Sequence, residues 1–318
     1  MKLRYLAAIA VLVLFGAALI VRPSEYIAEC GNGIAMWAES VVPSLSPFMV
    51  ITALLIGTGF TQKISAPMNG ICARFKLPPS ALPLFMMSCL SGYPAGSRCV
   101  AEYLNYRFIN YGDAKKLSVL CSTSGPLFIV GTVGVKAYGD SLKGYILLAA
   151  CLGTVAITSI IYCLVSPERS TARLFRQNQS RTNLLGDSFY GAVTAILLAG
   201  SFIVFFYTLS KVLEDMHVFA PLELVISPVF GRQCAAALCT GMVEATGGCF
   251  ALANAGGFFA LPLTGFLITF GGTSIVLQQM CFLEKCGVRY SFFISFKLAQ
   301  GIVCFFILCL VQLVSGIQ

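Results

Sequence analysis

Charge is what this chain has least of. Only 11% of its 318 residues are Asp, Glu, Lys or Arg, while 58% are apolar. A soluble domain carries about 25% charged residues, so composition excludes one and points to a polytopic membrane protein. Histidine is nearly missing: His217 is the only one, and it falls between apolar runs. An intramembrane serine protease has no Ser–His pair to draw on here, and the H-E-x-x-H of a membrane metalloprotease is absent. Acids at membrane depth are equally scarce. Glu244 is the only ionisable residue from 233 to 283, which leaves a two-carboxylate protease without its second acid. The chain reads as no enzyme. None of the 14 cysteines forms a C-x-x-C, and most lie inside apolar runs, so they read as small packing residues rather than redox or metal ligands. No metal or cofactor is expected.

Apolar runs long enough to span a bilayer occur at about 3–21, 39–60, 117–136, 143–165, 187–210, 257–283 and 292–314. Shorter, broken runs sit at 80–97 and 232–253. The first run follows Lys2 and Arg4 and resembles a signal peptide, but no clean small-x-small site precedes Arg22-Pro23, so an uncleaved helix is preferred. The net charge of +8 is no nucleic-acid signal in such a chain, because basic residues collect in cytoplasmic loops. Loop 166–187 carries Arg169, Arg173, Arg176 and Arg181 against Glu168 and Asp187. Loops 61–79 (Lys63, Arg74, Lys76), 98–116 (Arg98, Arg107, Lys115, Lys116) and 284–291 (Lys285, Arg289) are basic too, whereas 211–223 (Glu214, Asp215, Glu223) reads as outside. These assignments agree only if 80–97 and 232–253 each enter and leave on one side, from opposite faces.

A shift of 150 residues without gaps lays 39–60 on 189–210, 117–136 on 267–286 and 143–165 on 293–315. CLSGYPAGSRCVA (89–101) falls on CTGMVEATGGCFA (239–251), and STSGPLF (122–128) on GTSIVLQ (272–278). The expected fold is an all-α polytopic membrane protein of about seven transmembrane helices and two re-entrant helical hairpins in inverted-topology repeats. Residues 1–38 form an N-terminal helix and connector, 39–166 the first repeat, 167–186 a basic cytoplasmic loop, and 187–318 the second repeat. Inverted repeats with matching broken helices are the pattern of secondary transporters, which bind at the midplane where the repeats meet.

Irregular backbone at membrane depth survives only against protein or a water-filled cavity. Ser91, Gly92, Tyr93, Pro94 and Gly96 would split the first hairpin into half-helices, the second of which turns its N–H groups toward an anion. Close helix packing through small residues is the plainer alternative. Ser122, Thr123, Ser124 and Gly125 before Pro126, and Gly272, Thr273 and Ser274, put glycines and neutral donors inside long apolar runs, with Gln278 a turn later. Their alternative is back-bonding within ordinary helices. Glu244, beside Thr246, reads as a proton or cation site, a contact for polar substrate atoms, or a half-helix cap. Arg98 reads as a cytoplasmic anchor before a substrate clamp. Glu244, Arg98, Pro94 and Pro126 are the candidates for coupling or gating.

At SGYPAGSR, CSTSGPLFIVGTVG (121–134), GGTSIVLQ (271–278) and the Glu-x-Thr-x-Gly of Glu244, Thr246 and Gly248, the chain resembles the YlbJ/SpoVV-type sporulation integral membrane proteins, over roughly residues 40–315. That family carries the nucleoside-recognition "Gate" domain, which is similar to parts of concentrative nucleoside transporters. The resemblance implies a role in spore formation, with dipicolinate carried across the outer forespore membrane. Where the family would put amides this chain has Ser122, Thr123 and Gly247, which also fits a carrier of another small anion or a nucleoside-type solute. The expected partners are a small anionic substrate, a coupling proton or cation and the lipid bilayer. A homo-oligomer, or a non-transporting scaffold for other sporulation membrane proteins, stays open.

Overall fold

The computed structural model describes residues 2–167, 170 and 184–316, and among these there is no β-strand. Arg169, Arg173, Arg176, Arg181 and Glu168 of the basic loop lie outside the described residues. Five segments are long and apolar enough to cross a membrane: Pro23–Gly57, Ser141–Val165, Leu184–Asp215, Ala260–Cys286 and Tyr290–Ser315. The chain opens with α1 (Lys2–Val21). The next helix starts well before the apolar run at 39–60: α2 (Pro23–Met36) passes through π-helical turns at Trp37–Val41 into α3 (Val42–Gly57). Position 38 is therefore inside a continuous helix. The expected loop at 61–79 is largely α4 (Phe60–Arg74).

The first hairpin is α5 (Ala81–Ser91) and α6 (Ala95–Asn105), and the second is α11 (Arg232–Val243) and α12 (Ala245–Ala255). Arms of 11 or 12 residues reach about 16–18 Å, close to half the hydrocarbon thickness of about 30 Å, so no arm is long enough to cross alone. Both outrun their sequence limits. Arg98 sits in helix α6 rather than in a loop, because the basic stretch after Gly96 still buries Ala95, Cys99, Val100 and Tyr103 on one face.

The run 117–136 is not one helix. α7 (Tyr111–Leu120) ends, residues 121–125 are irregular, and helix resumes at Pro126 with a π-helical segment at Leu127–Ala137. Its counterpart is broken at Gly271 into α13 (Ala260–Phe270) and α14 (Gly272–Leu283). Long helices α8 (Ser141–Val165) and α15 (Tyr290–Ser315) follow each broken pair; α9 (Leu184–Asp215) and α10 (Ala220–Phe230) open the second half. Every residue of α13 is buried, while α8, α9 and α15 expose leucine, isoleucine, valine and phenylalanine outward, as a lipid-facing surface requires.

The order of elements repeats at the spacing seen in the sequence. Contacts between the halves are also reciprocal. Helix α6 meets α14 while α12 meets the Leu127–Ala137 segment; α8 meets α13 while α15 meets α7; and the equivalent helices α3 and α9, and α8 and α15, meet each other. Reciprocity of this kind is what an approximate twofold axis produces. None of the four hairpin arms is among the segments long enough to cross a membrane. The basic connections gather at one end. Lys76 Nζ donates to the carbonyls of Leu164 (2.6 Å) and Ser166 (3.2 Å), Lys116 Nζ donates to the Lys76 carbonyl (3.0 Å), and Gly287 packs against the Tyr111 ring.

Candidate functional site

Each hairpin tip is seated on the helix break of its own half. In the first half α5 stops at Ser91, whose hydroxyl bonds back to the Met87 carbonyl at 2.8 Å. Gly92 then takes a φ of +71°, and a Cβ there would stand 2.5 Å from the Gly125 nitrogen, so only glycine lets the tip lie on residues 121–125. Gly96 likewise leaves no room for a Cβ against the Cys121 carbonyl. Ser88 Oγ donates to that carbonyl and lies 3.1 Å from Thr123 Oγ1. Pro126 begins the π-helical segment.

In the second half α11 ends at Val243, and Glu244 has an extended backbone between two helices. Its carboxylate accepts from the backbone N–H groups of Thr246 (3.0 Å) and Gly247 (2.7 Å), the first turn of α12. This is the cap anticipated as one of its roles: a fixed anion at a half-helix N-terminus. Thr273 Oγ1 donates to the Met242 carbonyl at 3.1 Å, and a Cβ on Gly272 would meet the Gly241 carbonyl at 2.9 Å. Thr273 therefore holds the hairpin rather than lining a cavity, and Ser274 accepts from Gln278 within α14 at 3.3 Å. At the 150-residue offset Pro94 stands where Glu244 does, and no side chain caps α6.

The first hairpin is joined to the broken pair and the last helix of the other half. Ser97 Oγ donates to Gln279 Oε1 at 3.0 Å. Tyr93 Oη reaches the carbonyls of Ile268 (3.2 Å), Ser122 (3.3 Å) and Thr269 (3.5 Å), and accepts from Lys297 Nζ at 3.2 Å. Lys297 is fully buried on α15 and also donates to the Ser122 carbonyl at 2.9 Å. Sequence reading missed it, because one lysine inside a 26-residue apolar helix barely lowers a hydropathy average. A lysine about seven residues into a spanning helix was the available signal.

Between the tips lies a cavity of about 40 Å³, lined by Tyr93 and Ser124 of the first half, Thr246 and Gln278 of the second, and apolar residues of α3, α9 and both resumed helices. Polar groups from both repeats thus converge where both hairpins turn. A second cavity of about 340 Å³ runs between α9 and α12, from Lys211 and Glu214 down to Glu244 and Gly247. Its counterpart between α3, α6 and α9 is closed to about 40 Å³. There Arg98 pairs with Glu102 at 2.9 Å and donates to the Gly191 carbonyl, packed so closely on Gly191 that a side chain there would collide with it.

No family model matches the chain, and no solved structure matches it. It is 25% identical to the sporulation integral membrane protein YlbJ of Bacillus subtilis over an alignment of 317 positions, covering 90% of this chain and 77% of that protein. The likeness spans both halves and both hairpins, so the YlbJ-type sporulation integral membrane proteins that the motifs resemble are also those that the chain as a whole resembles.

Proposed function

We propose that this multi-pass membrane protein is a carrier for a small organic anion of dipicolinate's chemistry, working in the outer forespore membrane during sporulation. The observation that carries the reading is the convergence of Tyr93, Ser124, Thr246 and Gln278 on one cavity from two repeats. Membrane carriers built from inverted repeats bind at such a junction, with broken helices supplying polar contacts. Sporulation comes from the name of the relative and from the motifs.

A volume of about 40 Å³ holds water and not an aromatic dicarboxylate, whose pocket needs hundreds of Å³. Transport therefore requires the halves to part. The wide cavity ending at Glu244 and the narrow one plugged by Arg98 are the two entrances. In this reading the wide end is open, and Arg98 withdraws from Gly191 when the other end opens. Pro94 and Pro126, at the starts of α6 and of the Leu127–Ala137 segment, lie where the tip and break must flex together. Glu244 lines the open cavity, so a coupling proton or cation from that side reaches it.

The test is uptake by the purified chain in liposomes. Accumulation of labelled dipicolinate above that of empty vesicles supports the carrier. Movement of nucleosides instead would assign a different solute, and movement of neither these nor simple dicarboxylates would favour a non-transporting scaffold.

A further inference from the structure

Lys297 is a buried amine with no carboxylate beside it; the titratable groups that face it are the thiols of Cys151 and Cys304. The ion pairs among the described residues use Arg22, Arg98, Lys136 and Lys211 and leave Lys297 out. Of its three N–H donors, two are placed, on the Ser122 carbonyl and the Tyr93 hydroxyl. Nearby, Ser122 Oγ and Thr269 Oγ1 are buried without a hydrogen-bond partner. Polar atoms in such positions are normally satisfied, and a buried charge normally has a counter-charge. The one acid at the other tip, Glu244, is already held by two backbone N–H groups.

The cluster adjoins the central cavity. Tyr93 lines that cavity while its hydroxyl takes Lys297, and Ser124, another lining residue, is two positions from Ser122. At the 150-residue offset Leu147 stands in place of Lys297, so only one end of the site carries an amine.

We propose that Lys297 is the residue that binds a substrate carboxylate. Its Nζ supplies the charge-assisted bond, and the hydroxyls of Ser122 and Thr269 are the neutral donors around it. The inference rests on the carrier reading above and adds to it the group that selects an anion. A dicarboxylate would set one carboxylate here and direct the other past Tyr93 toward Thr246 and Gln278.

The experiment is equilibrium binding to the purified full chain of labelled dipicolinate and of its neutral diamide, which has the same shape without charge. The wild type should favour the dicarboxylate, and Lys297→Gln should lower its affinity by at least about tenfold while leaving the diamide nearly unchanged. Lys297→Arg should recover part of the preference. A lysine with a purely structural role would weaken both ligands alike, which would overturn the proposal. Should the Gln variant fail to fold, the wild type alone decides, because equal affinity for diamide and dicarboxylate would overturn it too. If the wild type binds neither ligand, the carrier reading falls and this inference with it; binding with the selectivity unchanged in Lys297→Gln removes only the inference.

Discussion

The Sγ atoms of Cys151 and Cys304 lie 3.8 Å apart, one on α8 and the other on α15, where equivalent helices of the two halves cross. Both residues are buried, Cys304 fully. A disulfide needs the sulfurs to approach to about 2 Å, a small adjustment from this contact. A variant keeping these two of the 14 cysteines should therefore form an intramolecular crosslink under copper-phenanthroline, read as a gel mobility shift. A variant keeping Cys151 and the exposed Cys281 should not. Absence of the first crosslink would contradict the pairing of α8 with α15.

Glu244 is 1% exposed, and its carboxylate satisfies two N–H groups at once. Glu244→Ala leaves both donors unpaired, the Thr246 N–H buried and the Gly247 N–H half-buried, and should cost about 2 kcal/mol, while Glu244→Gln, with one acceptor left, should cost about 1 kcal/mol. Thermal unfolding in detergent checks the order. In liposomes the Gln variant should lose accumulation but keep exchange, and the Ala variant should lose both; full, pH-independent uptake by the Gln variant would show that Glu244 is not the coupling site.

Glycine matters at the tips and not along the helices. Gly92→Ala must place a Cβ against the Gly125 backbone from a left-handed φ, and should destabilise by several kcal/mol or prevent folding. Gly153, mid-way along α8 with nothing within 4 Å of a Cβ, should accept Ala with neutral or slightly raised stability. Melting temperatures of the pair make the comparison.

Much of the architecture was legible because breaking a membrane helix demands conspicuous residues. Gly92 and Pro94 marked the first tip, Gly271 and Gly272 the second break, and the charges of Lys76, Lys116 and Lys285 required hairpins that turn back. The limits of those hairpins were not legible. Arg98 and Glu102 look like loop charges, yet they lie on a helix, turned toward α9 and the narrow cavity. Tertiary pairing was hidden as well. Thr273 reads as a cavity donor until α11 is brought beside it, and Lys297 acquires meaning only when Tyr93 and Ser122 arrive from about 200 residues away.

Sidedness follows from the same framework. In a chain cleared of cysteine, thiols placed at Lys63 and Lys285 should react from one face of the membrane and thiols at Gly139 and Met216 from the other. Lys63 reacting from the face opposite to Lys285 would break the inverted arrangement. Replacing Arg98 by Gln should raise the reactivity of a thiol at Ala95, because the pairing that plugs the narrow entrance is lost.

The central claim is that substrate passes through the cavity between the two hairpin tips, and Ser124→Cys in the cysteine-cleared chain tests it most directly. A small water-soluble thiol reagent should label that position, and dipicolinate should slow the labelling while its neutral diamide does so far less. Labelling indifferent to dipicolinate, in liposomes that still accumulate it, would contradict the account and put the path elsewhere.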